Sequence, residues 1–177
     1  RQRQMCIRDS HSIFLRRSPM LESLLDWRAM RGDSGYVHID MPHWTWPIMR
    51  VGLAFLYMDA DTAAFQGTDE DKSPDQFIDF VLDVLQLADE LLLEKLQHIT
   101  YGFLSPRVKP TNVAALLSDA LRLNAPAFSQ VCMEYATRHL ETLLEMGCLS
   151  SLDVRERHIL TEYIQAQQDR VLHRSLA

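Results

Sequence analysis

Apolar residues recur at helical spacing across residues 77–104, the densest apolar stretch of the chain. Neighbouring members are mostly three or four positions apart, which places them on one face of an α-helix. They are Phe77, Val81, Val84, Leu85, Ala88, Leu92, Leu96 and Ile99. Three consecutive leucines at positions 91–93 would make a single exposed helix apolar all round. The pattern therefore predicts two buried helices with a hinge near residues 91–93.

Helix starts precede this stretch and an earlier one. Ser73 and Pro74 suit the first positions of a helix, and Gln76 can close a capping box with Ser73. Ser18 and Pro19 form a similar start before leucines at helical spacing. Both positions therefore predict the first turn of a helix.

The segments between these helices carry other patterns. Residues 36–40 alternate and predict a short strand, with Val37 and Ile39 on its buried side. The next apolar helix follows Thr45 and contains Gly52, which indicates close approach of another element. Residues 59–72 are rich in acidic and small polar residues and predict an exposed acidic loop.

The last third of the chain predicts a helical hairpin and one further helix. Helices are expected over residues 111–123 and 126–146, with Gly147 ending the second. A last helix, capped by Ser150 or Ser151, loses its apolar pattern after residue 165, so we expect it to fray. The predicted fold class is therefore mainly α (α+β), with a small remnant sheet.

Composition narrows the class of protein. The chain has 177 residues, of which 47% are hydrophobic and 24% charged, as in soluble globular proteins. A net charge of −6 argues against a nucleic-acid partner. No apolar run reaches the roughly 20 residues needed to span a membrane, and no leader opens the chain. These features predict a cytoplasmic or nuclear protein. The three cysteines are odd in number and not closely spaced, which favours neither a disulfide framework nor a zinc cluster.

The acidic loop contains a partial match to a calcium-binding loop. Asp59, Asp61 and Glu70 occupy positions 1, 3 and 12 of such a loop. Ala63 and Ala64 stand where a fifth-position ligand and the required glycine would be. A solvated acidic loop is therefore the favoured interpretation.

The sequence offers no constellation typical of an enzyme. His38 and His43 lack a third metal ligand nearby, and Cys132 and His139 would lie about 10 Å apart along one helix. We expect no enzyme activity, cofactor or metal, and a buried core thiol at Cys132. The tryptophans could anchor a partner, but core or rim packing is the favoured role for Trp27, Trp44 and Trp46.

Residues 1–10 have a different origin in our interpretation. Residues 5–10, MCIRDS, can be back-translated as ATG TGT ATA AGA GAC AGN, which resembles the end of a transposase adapter used in sequencing libraries. We interpret residues 1–10 as an adapter artefact and leave them out of fold reasoning. Their removal takes away a net charge of +2 and leaves −8.

Residues 11–25, HSIFLRRSPMLESLL, resemble the middle of a BTB (POZ) domain. The strand, the helix ending FLY, the acidic loop and the LQLAD run follow in that family's order, and VKPTN with the later helices resembles a BACK region. Residues 151–154, SLDV, with their helix look most like the inhibitor of Bruton tyrosine kinase branch. The resemblance implies a BTB domain over residues 11–105 that lacks its first strands, and a BACK-like region over 106–170.

The resemblance also implies a function and a site. BTB-BACK proteins commonly recruit the third-type cullin as substrate adaptors of an E3 ubiquitin ligase, and BTB domains form homodimers. Adaptors carry a hydrophobic-x-Glu motif before the strand, where this chain has Met30 as the hydrophobe but no Glu. The implied cullin-binding residues are Met30, Asp33, Tyr57 and Asp59. The alternative is a dimerisation or scaffold module of a transcription-linked or structural protein.

Overall fold

The computed structural model describes residues 16–32, 41–58, 65 and 72–175. These residues form α-helices joined by turns and short 3₁₀ segments, and they contain no strand, so the mainly α prediction is confirmed. The predicted strand at 36–40 lies outside the described residues. The helices are α1 (Pro19–Met30), α2 (Trp46–Met58), α3 (Pro74–Glu90), α4 (Glu94–Leu104), α5 (Val113–Arg122), α6 (Pro126–Arg138), α7 (Leu140–Glu145) and α8 (Val154–Ser175).

The chain divides into two compact units between Gly102 and Phe103. The BTB and BACK boundary predicted at residues 105 and 106 lies close to this division. The assignment of the two units to those domains stays a prediction.

Helices α2 and α3 pack against each other at Gly52 in the first unit. A Cβ atom added to Gly52 would lie 2.9 Å from Cδ2 of Leu87, a side chain that is completely buried. This confirms that Gly52 permits the close approach of a second element. A larger residue at this position would require the Leu87 side chain to move.

Helix α3 begins with the predicted capping box. The Gln76 backbone amide donates to Ser73 Oγ at 3.3 Å, and the Ser73 amide donates to Gln76 Oε1 at 3.0 Å. The buried face of α3 includes Phe77, Val81 and Val84. The side chains of Ser73 and Gln76 thus each accept from a backbone amide that the helix itself leaves without a partner, as the sequence predicts.

The hinge predicted near residues 91–93 is a tight turn between α3 and α4. Leu92 adopts the left-handed conformation with φ +55°. The Leu92 amide donates to the Asp89 carbonyl at 3.0 Å, and the Leu93 amide donates to the Ala88 carbonyl at 2.8 Å. This pair of hydrogen bonds defines a Schellman motif, in which the left-handed residue is usually glycine.

The second unit contains the predicted hairpin of α5 and α6, joined by a turn of the same kind. Asn124 has φ +48°, and its amide donates to the Leu121 carbonyl at 3.2 Å. The Ala125 amide donates to the Ala120 carbonyl at 2.9 Å. Asparagine tolerates this conformation better than most residues other than glycine.

The end of the chain differs from prediction in three ways. The expected helix over 126–146 is divided at His139, whose backbone has φ −113° and ψ 23° and so leaves the helical conformation. Helix α8 is capped by Asp153, not by Ser150 or Ser151, because the Glu156 amide donates to Asp153 Oδ1 at 2.7 Å. Helix α8 also continues to Ser175, although its apolar pattern fades earlier. Gly147 has φ +66° and ends α7 as predicted.

Candidate partner-binding surface

Met30, one of the four predicted partner-binding residues, is the last residue of α1, and its side chain is 86% exposed. Trp27 lies one helical turn earlier and is 53% exposed. The Arg31 guanidinium stands 4.4 Å from the centroid of the Trp27 ring, which is within cation–π range. The C-terminal end of α1 therefore presents two large apolar side chains to solvent.

The other predicted site residues have different positions. Tyr57 is half-buried near the C-terminal end of α2. Asp33 and Asp59 lie outside the described residues. The structure thus describes the positions of Met30 and Tyr57, on two different helices, and the site they would form with Asp33 and Asp59 stays a prediction.

The N-terminus of α1 connects the ends of two other helices. Arg17 Nη1 donates to the Leu56 carbonyl at 3.1 Å, and Ser18 Oγ donates to the Leu91 carbonyl at 2.5 Å. Ser18 is fully buried and also accepts from the Leu21 amide at 3.3 Å, so it caps α1 as predicted. Two consecutive residues, Arg17 and Ser18, therefore hold the C-terminal ends of α2 and α3.

A polar cluster lies at the end of α3. Trp44 Nε1 donates to Glu90 Oε2 at 2.8 Å, and His43 Nε2 lies 3.1 Å from the same oxygen. Trp44 is half-buried, whereas Trp27 and Trp46 are more than half exposed. Trp27 and Trp46 are therefore not core residues, and Trp44 is packed only in part.

The start of α4 adds a second carboxylate contact. Gln97 Nε2 donates to Asp89 Oδ1 at 3.2 Å. Burial, and then the charge of Asp89, raise the pKa of Tyr101, whose ring meets that of His98 edge-on at 5.6 Å. The raised pKa further favours the protonated tyrosine hydroxyl, which is already the main form around neutral pH.

Several of these contacts could not be predicted from the sequence pattern. Ser18 is recognisable as a helix cap, but its acceptor at Leu91 is 73 residues away in the chain. Glu90, His43 and Trp44 show no shared motif. The sequence pattern places Leu92 on the apolar face of a buried helix, but this expectation is wrong, because the turn leaves Leu92 53% exposed.

Chemistry of other kinds has little support in the described part of the chain. Among those residues, no group of three or more His, Cys, Asp or Glu side chains could hold a metal ion. The calcium-loop residues Asp59, Asp61 and Glu70 lie outside them. Cys132 is fully buried, and burial raises the pKa of its thiol to about 12. The predicted core thiol is therefore confirmed, and it is a poor nucleophile at neutral pH.

In the described part of the chain, none of the helices combines the length and the apolar character that crossing a bilayer requires.

No protein-family model and no solved structure matches the chain. Among curated proteins, it is 30% identical over 115 residues to the Inhibitor of Bruton tyrosine kinase of Mus musculus, covering 65% of this chain and 8% of the relative. The Xenopus laevis protein of that name is 32% identical over 89 residues, or 50% of this chain and 6% of the relative. The BTB/POZ domain-containing protein 1 of Schizosaccharomyces pombe is 26% identical over 149 residues, or 81% and 11%.

These similarities confirm the resemblance predicted from the sequence, both to a BTB-containing protein and to the inhibitor branch. The chain spans only 6 to 11% of the length of these three relatives. Activities and partners of the whole relatives therefore bear on this chain only as proposals.

Proposed function

We propose that the chain is a protein-interaction module that serves as a substrate adaptor of an E3 ubiquitin ligase built on the third-type cullin. The similarity to BTB-type proteins supports an interaction module. The adaptor role rests on one observation, the 86% exposure of Met30 at the end of α1. This is the position at which the resemblance expects the hydrophobic residue that enters the cullin.

The physical case is that two exposed apolar side chains gain from burial against a partner. Burying a Met side chain contributes about 1.5–3 kcal/mol, and Trp is among the residues that most often dominate an interface. Met30 and Trp27 are three residues apart on a helix, so one partner surface can cover both. We propose that Asp33 replaces the missing Glu and that Tyr57 and Asp59 complete the contact.

The test is calorimetric titration of the chain with the purified N-terminal domain of the third-type cullin. A version preceded by the opening strands of a BTB domain is titrated in parallel. Met30→Glu should reduce the affinity at least about a hundredfold, because an unpaired carboxylate buried in an interface costs several kcal/mol. Met146→Glu is the matched control, since Met146 is an exposed methionine of the second unit.

Equal affinity of the wild type and Met30→Glu would contradict the proposed site. Failure of both wild-type versions to bind would contradict the adaptor role.

The rival function is self-association, which the same exposed pair favours. A dimerisation module would bury Trp27 and Met30 against a second copy. Light scattering on the wild type and on Trp27→Ala distinguishes the two functions. A well-folded dimer that does not bind the cullin and becomes monomeric with Trp27→Ala would support a scaffold.

A further inference from the structure

Leu92 combines two features that are each unfavourable in a folded protein. Its backbone has φ +55°, a conformation that glycine adopts freely and that a branched side chain adopts at a cost in free energy. Its side chain is also 53% exposed, so burial offsets only part of that cost. Fold stability alone would favour glycine or asparagine here, as Asn124 illustrates in the equivalent turn.

Carboxylates flank this leucine in the sequence, and two of them are held in place. Asp89 accepts from Gln97, and Glu90 accepts from Trp44. Glu94 follows at the exposed start of α4. Groups already fixed by hydrogen bonds lose less conformational entropy when a partner binds. Residues 89–95 contain three carboxylates and Lys95, a net charge of −2, and His43 contacts Glu90 from outside this segment.

The turn is attached to the N-terminus of α1, whereas Met30 and Trp27 lie towards the C-terminal end of that helix. Ser18 holds the Leu91 carbonyl, and the preceding Arg17 holds the Leu56 carbonyl. Leu92 follows the first of these carbonyls, and Tyr57 follows the second. Leu92 therefore follows a carbonyl held by the N-terminus of α1, and so does Tyr57, which belongs to the proposed adaptor surface.

We propose that Leu92 is a further partner-contact residue, which inserts into an apolar pocket rimmed by Lys or Arg on the protein that the adaptor surface binds. The negative charge of the turn favours Lys or Arg around the partner's pocket, and the exposed leucine favours an apolar pocket centre. The cost of the left-handed conformation is then retained because the side chain is used in binding. This inference rests on the proposed adaptor function, and it adds a residue that the sequence resemblance does not indicate.

The experiment compares binding and stability of three variants in the full chain. Leu92→Asn relieves the backbone strain and removes the apolar side chain. It should raise the melting temperature by about 2 °C and weaken binding to the cullin N-terminal domain about tenfold. Leu92→Met keeps an apolar side chain and should retain binding. Asn124→Gly changes the equivalent turn of the second unit and should leave binding unchanged.

The salt dependence gives an independent readout. Wild-type binding should weaken between 50 and 300 mM NaCl, as expected for about two carboxylates facing cations. Full binding by Leu92→Asn, with the wild type also binding, would overturn the role of Leu92 and leave the adaptor function intact. Binding that does not respond to salt would overturn the basic rim. A wild type that does not bind at all would overturn both the inference and the adaptor function.

Discussion

Two turns of the molecule share one hydrogen-bond pattern but differ in the residue that adopts the left-handed conformation. The turn after α3 places Leu92 at φ +55°, and the turn after α5 places Asn124 at φ +48°. In each, two amides donate back to the last turn of the preceding helix. The backbone geometry thus does not require a particular side chain, but the free-energy cost depends on it.

The first turn also receives support from a distant residue. Ser18 is fully buried and donates to the Leu91 carbonyl. The comparison indicates that a turn with an unfavourable residue can persist when tertiary contacts hold its backbone. The effect of the residue in the turn and the effect of the Ser18 contact can be tested separately by substitution.

Removal of the tertiary support should have the largest effect. Ser18→Ala loses a helix cap and leaves a buried carbonyl without its donor, so we expect a loss of about 2–4 kcal/mol in the free energy of unfolding. Urea denaturation of the full chain measures it. Ser73→Ala is the matched control, because exposed Ser73 has only the capping role, and it should cost about 1 kcal/mol. Equal losses for the two variants would show that the Leu91 contact adds nothing.

Exchange of the residues in the two turns should have smaller effects of opposite sign. Asn124→Leu should destabilise the chain by about 1 kcal/mol, and Leu92→Gly should stabilise it by about 0.5–1 kcal/mol, because only the first introduces strain. The same denaturation curves report both changes. A loss of stability in Leu92→Gly would mean that packing of the leucine outweighs its backbone strain.

The smallest expected effect concerns charge, in which the two units also differ. The first 102 residues contain ten Lys or Arg and sixteen Asp or Glu, whereas the remaining 75 contain eight of each. Asp83 on α3 is exposed, but partial desolvation by neighbouring groups, and then the charge of Asp79, raise its pKa. Because the folded state then holds this proton more tightly than the unfolded state, the ionised carboxylate destabilises the fold above the raised pKa.

Asp83→Asn should therefore raise the melting temperature slightly at pH 7. The difference from wild type should shrink as the pH falls through the raised pKa towards the ordinary aspartate value. Asp75→Asn is the control with the opposite sign, since Asp75 lies in the first turn of α3, where a negative charge is favourable. A constant difference between Asp83→Asn and wild type across this pH range would contradict the assignment.

Much of the helical framework could be predicted from periodicity and capping residues. The capping box at Ser73, the hinge at residues 91–93 and the left-handed Gly147 all follow from neighbours in the sequence. The division at His139 was not predicted. The cap at Asp153 was not predicted either, because Ser150 and Ser151 could cap the helix equally well. For the candidate site, the exposure of Met30 agrees with a partner role, but its contacts with a partner stay a prediction.

The sequence by itself determined most helix starts and ends, because helical hydrogen bonds and caps join residues that are three to five positions apart. It also determined the resemblance that suggests a partner. Only the tertiary structure decided that Ser18 would find its acceptor at Leu91, and that Leu92 would be both strained and exposed. These outcomes depend on packing between segments far apart in the chain, for which no local pattern of residues carries the information.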